Sequence, residues 1–206
     1  MKLVLASNNA KKLAELQRLF EGMQIEIVSQ GTLGVAEAEE PHLTFVENAL
    51  AKARHAARAT GLPAMADDSG LCVDALGGAP GVQSAVFATV PVLQGDREAQ
   101  RRAQDAANNT LLLDSLRQAT DRRCRFVSTL VALRHADDPQ PLIAFGRWEA
   151  RLLESPRGQG GFGYDPLVWI DALGASVAEL HADVKNQHSH RALAAAQMRE
   201  LIQQSW

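Results

Sequence analysis

Acidic side chains are concentrated in one apolar stretch of this chain. Asp67 and Asp68 directly follow a short apolar strand, and Asp74 lies in the apolar segment after them. A carboxylate at the end of a buried strand is costly unless a cation meets it, and a divalent metal is the usual partner. We therefore predict a magnesium site with a general base here, with Glu39 and Glu40 as further candidate acids.

Each of these acids also has an ordinary explanation. Asp, Ser and Gly all favour turns, so the run Asp67–Gly70 is also typical of a simple turn. Glu39 and Glu40 are equally consistent with a solvated acidic loop. The functional interpretation is favoured because two adjacent acids come straight after an apolar strand.

A second candidate site lies at the strand-to-helix turn near the N-terminus, and it has the sequence Ser7-Asn8-Asn9-Ala10-Lys11-Lys12. The unpaired N–H groups and the partial positive charge of a helix N-terminus suit a phosphate. Ser7 and Asn9 offer further donors, and Lys12 offers a full charge. The alternative is a plain helix cap with solvated lysines, because such caps are common.

A glycine-rich loop forms the third candidate site. Its glycines match G-x-G-x-x-G, but Tyr164-Asp165-Pro166 follow them instead of a helix, which excludes a dinucleotide fingerprint. We interpret the loop as a surface on which Phe162 stacks against a flat ring. The alternative is a tight loop whose aromatic side chains fill the core.

The fourth candidate site brings donors together just before and at the start of the last helix. Lys185, His190 and Arg191 are suited to a base carbonyl or to phosphate oxygens, and Ser189 is placed to cap the helix. The alternative is a capped helix with a solvated first turn.

The hydrophobic patterning predicts the elements that position these groups. Apolar residues at helical spacing predict helices over 10–20, 44–59, 97–116 and 189–203, the second opened by a capping box at Thr44–Glu47. Strands are predicted over 2–6, 25–28, 63–66, 125–133 and 141–153, the last two as an antiparallel hairpin. This order favours an α/β fold with a mixed sheet.

The composition excludes some classes of function. The 206 residues carry a net charge of −3, without the basic surplus of nucleic-acid-binding proteins. We expect no signal peptide, and no apolar run approaches the roughly 18 residues of a membrane span. Cys72 and Cys124 have no metal-binding spacing. The expectation is a soluble, cytoplasmic protein that binds neither nucleic acid nor a membrane.

Motifs in a fixed order then extend over nearly the whole chain. They are S-x-N-x-x-K-x-x-E, the acidic pair, F-x-E-N-A-x-x-K-A, ADDSGL-x-VD-x-L-GG-x-PG, GFGYDP and SHR. Together they make the chain resemble the inosine triphosphate pyrophosphatase family. The resemblance implies a single domain over residues 1–206 with an α/β fold: a long mixed β-sheet flanked by helices, and two lobes with an active-site cleft between them.

The resemblance also implies a reaction. Water attacks the α-phosphorus of a deaminated purine nucleoside triphosphate (ITP, dITP or XTP) and releases the monophosphate and pyrophosphate. The resemblance implies one or more Mg²⁺ ions per subunit and a homodimer as well. It makes Asp68 the proton acceptor and a metal ligand together with Glu39, while Lys12 and Lys52 are suited to offset charge on the leaving pyrophosphate. Substrate contacts are implied for Ser7, Asn8, Asn9, Ala10, Lys11, Lys12, Ser69, Phe162, Gly163, Tyr164, Asp165, Lys185, His190 and Arg191.

Departures from the family pattern keep two alternatives open. Ser84-Ala85-Val86-Phe87 stands where the family often has Ser-Ala-Arg-Tyr, so one arginine is missing. One alternative is a related pyrophosphatase for pyrimidine or modified nucleotides, which the GFGYDP and SHR motifs disfavour. The other is a nucleotide-binding regulator without catalysis, which the presence of Asp67, Asp68 and Lys12 disfavours.

Overall fold

The computed structural model describes residues 1–91 and 97–206, whose strands form one mixed sheet. The strands are β1 Lys2–Leu5, β2 Glu26–Ser29, β3 Ala64–Val73, β4 Arg123–Leu133, β5 Leu142–Leu152, β6 Val168–Ile170 and β7 Ala175–Ser176. Their order in the sheet is β2-β1-β3-β4-β5-β6-β7. β1 is parallel to β2 and β3, whereas β6 is antiparallel to β5 and β7. The predicted α/β class with a mixed sheet is confirmed.

The helices of the described residues include all those that the patterning predicts. They are α1 Ala10–Leu19, α2 Phe45–Thr60, α3 Arg97–Ser115, α4 Ala182–His188 and α5 His190–Ser205. The short α4 is not among the predictions. Within the described residues, none of the helices combines the length and the apolar character needed to cross a membrane.

Side chains cap three of these helices at the predicted positions, and at the start of α5 Ser189 Oγ accepts the backbone N–H of Ala192 at 3.1 Å. Asn9 Oδ1 accepts the backbone N–H groups of Lys11 and Lys12 at the start of α1. Thr44 Oγ1 accepts the N–H of Glu47 at the start of α2. The Glu47 carboxylate accepts from the Thr44 hydroxyl at 2.6 Å rather than from the backbone, so the second bond of the predicted capping box differs.

The prediction for the acidic segment is wrong in one respect. The predicted strand ends at residue 66 and a turn follows, but β3 continues through Asp67, Asp68 and Ser69 to Val73. β3 lies between β1 and β4 in the sheet, and Leu71 and Val73 in its second half are fully buried. Sheet pairing and burial thus override the local turn preference of Asp, Ser and Gly.

The chain forms two compact units. The first unit consists of residues 1–69, 127–147 and 186–206, and the second of residues 70–126 and 148–185. Each has apolar clusters of its own. In the first unit, β1, α1 and α5 contribute buried side chains such as Leu3, Leu16 and Met198. In the second, α3 and β4 contribute Leu112 and Phe126 among others.

A glycine allows β5 to approach the start of α5 closely inside the first unit. A Cβ added to Gly146 would overlap the backbone carbonyl of His190 and lie 2.7 Å from the backbone nitrogen of Ala194. Because both neighbours are backbone, a side chain here would have to displace the helix itself. Gly146 therefore sets the position of the helix that carries His190 and Arg191.

Candidate functional site

Asp67 is a buried carboxylate with a cationic or hydroxyl partner at each oxygen. Its Oδ1 accepts a hydrogen bond of 2.7 Å from Ser128 on β4. Its Oδ2 lies 3.1 Å from Lys12 Nζ and 3.0 Å from Arg191 Nη2. Burial alone raises the pKa of Asp67, but Arg191 and Lys12 outweigh it and hold that pKa well below its usual range. Asp67 therefore stays ionised at any working pH.

Arg191 is itself buried and bound by carboxylates. Its Nε and Nη2 lie 3.1 and 3.0 Å from Asp67 Oδ2, and its Nη1 pairs with Glu15 of α1. Nη2 also donates to Ser69 Oγ at 3.0 Å. Burial lowers the pKa of Arg191, but Asp67 and Glu15 outweigh it and raise that pKa above its usual value. The guanidinium thus binds protein groups in this structure, and its predicted contact with a substrate stays a prediction.

Asp68, the next residue along β3, has quite different neighbours. Its Oδ1 accepts a hydrogen bond of 2.7 Å from Lys52 Nζ of α2, and the same ammonium lies 3.0 Å from Glu40 Oε2. Burial lowers the pKa of Lys52, but Asp68 and Glu40 outweigh it, so the pKa lies above its usual value. Lys52 therefore stays charged and joins the two acids.

The second oxygen of Asp68 is not engaged by Lys52. Oδ2 is buried and has no hydrogen-bond donor among the described residues. Burial, with a smaller contribution from Glu40, raises the pKa of Asp68 to about 6 against the opposing effect of Lys52. The carboxyl groups of Asp68 and Glu40 are close enough for each to shift the pKa of the other. Asp68 is thus poised to take up and release a proton near neutral pH.

A divalent cation fits the carboxyl groups of Asp68 and Glu40. Both acids bind the same cationic group, the Lys52 ammonium, and Mg²⁺ takes only one or two protein carboxylates when substrate phosphates supply other ligands. The described residues contain no group of three or more His, Cys, Asp or Glu side chains able to hold a metal alone. Glu39, the predicted ligand, is exposed on the same loop, and its role stays a prediction.

Two lysines meet at the backbone carbonyl of Asp67. Lys12 Nζ lies 3.5 Å from this oxygen and Lys52 Nζ lies 3.3 Å from it. Burial is the main cause that lowers the pKa of Lys12, and the repulsion of Arg191 and Lys52 adds to it, although Asp67 opposes both. Several cationic groups held this close together form an environment suited to the charge of a polyphosphate.

The turn at residues 7–12 also holds its own backbone. Ser7 Oγ accepts the N–H of Asn9 at 3.1 Å, and Asn9 Oδ1 accepts the N–H of Lys11 at 3.0 Å. The Asn8 side chain lies against Gly31, where an added Cβ would come within 2.5 Å of Asn8 Oδ1. Asn9 thus caps α1, as the ordinary interpretation expects, and Ser7 holds the backbone of Asn9, while Lys12 turns inward to Asp67.

In the second unit, Lys185 lies over the ring of Phe162. Its ammonium is 4.7 Å from the ring centroid and 2.7 Å from Asp165 Oδ2. The same Asp165 oxygen accepts the backbone N–H of Phe162 at 3.0 Å. Phe162 is half-buried, so part of its surface remains exposed to a ligand.

Tyr164 differs from Phe162 although only one residue separates them. It is 5% exposed, belongs to the core of the second unit, and donates its hydroxyl to the Ser84 carbonyl at 2.9 Å. The core interpretation therefore applies to Tyr164, whereas stacking of a flat ring on Phe162 stays a prediction. The Tyr164 side chain fills the core, which leaves its backbone for any substrate contact.

The remaining predicted residues occupy defined places. Ser69 Oγ donates to Asp67 Oδ2 at 3.2 Å, and His190 is buried at the first position of α5, directly after the cap Ser189. Asp74, grouped with the other acids in the sequence, forms ion pairs with Arg125 and Arg123 in the second unit.

Sequence reasoning missed Ser128 as part of this site, and it placed Glu15 in the first motif without giving it a role. Ser128 contacts a residue 61 positions away, and a serine inside an apolar strand carries no local signal. Glu15 did carry a local signal, because it lies three residues after Lys12 and therefore on the same face of α1. Buried charge partners of this kind become visible only when the strands and helices are assembled.

The sequence profile of the Ham1 family matches residues 3–201. The chain belongs to the Ham1 family. It is 69% identical over 206 residues to a dITP/XTP pyrophosphatase of Methylibium petroleiphilum, with 100% of this chain and 99% of the relative covered. It is 58% identical over 193 residues to a dITP/XTP pyrophosphatase of Burkholderia pseudomallei, with 94% and 89% covered. These matches confirm the resemblance seen in the motifs.

Solved Ham1 structures have the same fold. A HAM1 protein from Coxiella burnetii is similar with a TM-score of 0.88 at 39% identity, and both chains are covered completely. The Ham1 protein of Staphylococcus aureus is similar with a TM-score of 0.83 at 31% identity, again over 100% of each chain. The chain thus shares its overall fold with these solved Ham1 proteins.

Proposed function

We propose that this Ham1 protein hydrolyses deaminated purine nucleoside triphosphates (ITP, dITP and XTP) to the monophosphate and pyrophosphate with Mg²⁺, and so cleanses the nucleotide pool. The enzyme class, a nucleoside triphosphate pyrophosphatase, is confirmed by relatives named dITP/XTP pyrophosphatase. The mechanism rests mainly on Asp68. This buried carboxyl group has a pKa of about 6, one oxygen on Lys52 and the other without a donor among the described residues.

In this proposal Asp68 removes a proton from the attacking water. The water oxygen forms a bond to the α-phosphorus, and the bond from that phosphorus to the bridging oxygen breaks, so pyrophosphate leaves. A carboxylate with a pKa just below the working pH is ionised and still basic enough to accept the proton. Lys52 holds Asp68 Oδ1 in place, which leaves Oδ2 for this work.

Lys12 and Lys52 provide fixed positive charge for the phosphates. Both ammonium groups are held by Asp67, and neither has to reorganise when negative charge develops on the leaving group. Asp68 and Glu40, or the predicted Glu39, would hold Mg²⁺, which when bound supplies further positive charge to the phosphate oxygens. The turn at residues 7–12 adds backbone and side-chain donors.

Recognition of the base is proposed for Phe162 and Lys185. Phe162 offers a half-buried aromatic ring for stacking, and stacking of one base is worth about 1–3 kcal/mol. Hypoxanthine and xanthine carry a carbonyl at C6, which accepts a hydrogen bond, whereas adenine carries an amino group there. A donor such as the Lys185 ammonium therefore favours the deaminated bases, because an unpaired polar group is strongly unfavourable.

The test is product analysis with purified protein. ITP, XTP, dITP, ATP, GTP and dTTP are each incubated with and without Mg²⁺, and the products are separated by ion-exchange chromatography. Monophosphate plus pyrophosphate from ITP, XTP and dITP, only with Mg²⁺, supports the proposal. Diphosphate plus phosphate would place attack at the terminal phosphate, and turnover of dTTP alone would indicate a pyrimidine enzyme.

Two variants make this test specific to the residues. Asp68→Asn should abolish turnover, whereas the exposed Asp137→Asn should leave it unchanged.

We also propose a homodimer, which multi-angle light scattering tests directly: a molar mass twice that of the chain is expected, and a monomer mass would refute it.

A further inference from the structure

Helix α3 holds both polar backbone groups of Gly163. The N–H of Gly163 donates to Asp105 Oδ2 at 2.9 Å, and the carbonyl of Gly163 accepts from Asn109 Nδ2 at 3.0 Å. Asp105 and Asn109 are four residues apart on α3 and therefore lie on the same face of the helix. We call these two residues the α3 pair.

The α3 pair acts on the turn between the two aromatic residues of the loop. Gly163 has a φ of +62°, a left-handed conformation that glycine adopts without strain. Tyr164 after it is fixed by the core and by its bond to Ser84, whereas Phe162 before it is half-buried. Asp165 holds the N–H of Phe162 and Lys185 lies over its ring, while the two bonds at Gly163 fix the backbone directly after it, so they contribute to the orientation of Phe162.

The bonds suit a positioning role. A carboxylate that accepts a backbone N–H makes a charge-assisted hydrogen bond, which is stronger than one between neutral groups. Asn109 Oδ1 is buried and has no donor among the described residues. The hydrogen bond from Asn109 Nδ2 to the Gly163 carbonyl therefore orients the Asn109 amide. Both side chains are thus committed to one glycine.

We infer that Asp105 and Asn109 are positioning residues that fix Gly163, and through it the ring of Phe162, in the orientation needed to stack on the substrate base. This inference rests on the proposed function, because it assigns the α3 pair to base recognition. It predicts that loss of either bond weakens substrate binding and leaves the chemical step intact.

Four variants separate positioning from general structure. Asp105→Ala removes the acceptor, and Asn109→Leu removes the donor with little change in volume. Asp105→Asn keeps an acceptor oxygen and is the conservative variant. Arg102→Ala serves as the control. Arg102 lies on the same helix, its side chain is exposed, and its Nη1 is 4.0 Å from Glu98 Oε1.

The first measurement is hydrogen–deuterium exchange, which needs no substrate. The peptide that contains residues 158–166 should exchange faster in Asp105→Ala and Asn109→Leu than in the wild type or in Arg102→Ala. Asp105→Asn should restore most of the protection. Unchanged exchange in both Asp105→Ala and Asn109→Leu would overturn the inference.

The second measurement is steady-state kinetics with ITP. KM should rise roughly tenfold in Asp105→Ala and Asn109→Leu, the low end of the loss expected for weakened base stacking, with kcat within about twofold of wild type. An unchanged KM, or a fall in kcat alone, would overturn the inference while the proposed function stands. A wild-type protein that does not hydrolyse ITP would instead refute the proposed function, and the role in base recognition with it.

Discussion

The ammonium of Lys52 lies 2.7 Å from Asp68 Oδ1, whereas the carboxylate of the preceding residue, Asp67, is bound by Arg191 and Lys12. Successive side chains of a strand point to opposite faces of the sheet, so two adjacent acids meet two different surroundings. One is held permanently ionised and the other has a pKa of about 6. The strand that replaces the predicted turn is thus what separates their roles.

Replacing Asp68 should remove catalysis without loosening the fold. Asp68→Asn keeps the shape and the hydrogen bond at Oδ1 but cannot accept a proton, so kcat for ITP should fall by roughly 10²–10⁴-fold. Nucleotide binding should change little, and the melting temperature should fall less than in Asp67→Asn, because Lys52 keeps the half-exposed Glu40 as a partner. A variant that keeps more than a few per cent of wild-type turnover would place the base at another residue.

Replacing Asp67 should instead damage stability. Asp67→Asn leaves the buried guanidinium of Arg191 with Glu15 as its remaining charged partner among the described residues, and breaking a buried ion pair costs about 3–5 kcal/mol. Urea unfolding measures this loss. Asp114→Asn, whose exposed partner is Arg117, is the control and should lose at most about 1 kcal/mol. Equal losses in the two variants would contradict the structural role of Asp67.

The stability that Asp67 contributes should also depend on pH. Its folded pKa lies below the unfolded value of about 3.9, so the contribution is complete above that value and lost as pH falls through the folded pKa. The wild type should therefore lose stability in acid more steeply than Asp67→Asn. Parallel curves of unfolding free energy between about pH 5 and 2 would show that Asp67 is not the group responsible.

The rate should follow the ionisation of Asp68. Because the proposed base works only when deprotonated, kcat/KM for ITP should fall as pH drops through about 6. A cation competes with the proton for the same oxygens, so higher Mg²⁺ should shift this apparent pKa downward. A rate that stays flat from pH 8 to about 5 would exclude a base with a raised pKa.

The two aromatic residues of the loop should respond differently. Phe162→Ala should raise KM for ITP about tenfold or more through lost stacking. Tyr164→Phe removes the hydroxyl that donates to the Ser84 carbonyl, so it should lower the melting temperature and leave KM unchanged. Equal KM values for Phe162→Ala and wild type would show that the base does not stack on this ring.

Much of the fold was accessible from the sequence because its long elements have clear periodicity and strong caps. Asn9 and Thr44 mark helix starts, and the alternation over 141–153 marks β5. The extent of β3 was not accessible, because Asp67–Gly70 has the local signature of a turn and only pairing with its neighbours reverses it.

The sequence pointed to many residues of the candidate site but not to the ion pairs and hydrogen bonds between them. The acidic motif identified Asp67 and Asp68 together, but their opposite pKa shifts depend on Arg191 and Lys52, which arrive from distant segments. Likewise, Phe162 and Tyr164 look equivalent in the sequence, and only Ser84 and the core distinguish them. Three-dimensional partners of this kind leave no local pattern.

The division of the chain into discontinuous units has a consequence for its synthesis on the ribosome. The first unit begins at residue 1, but its last segment, 186–206, is translated after all of the second unit. Arg191 follows Asp67 by 124 residues. The Asp67 carboxylate therefore cannot pair with the Arg191 guanidinium until the second unit and the start of α5 have been synthesised. The first unit therefore completes its charge network late in translation, and α5 is the segment that closes it.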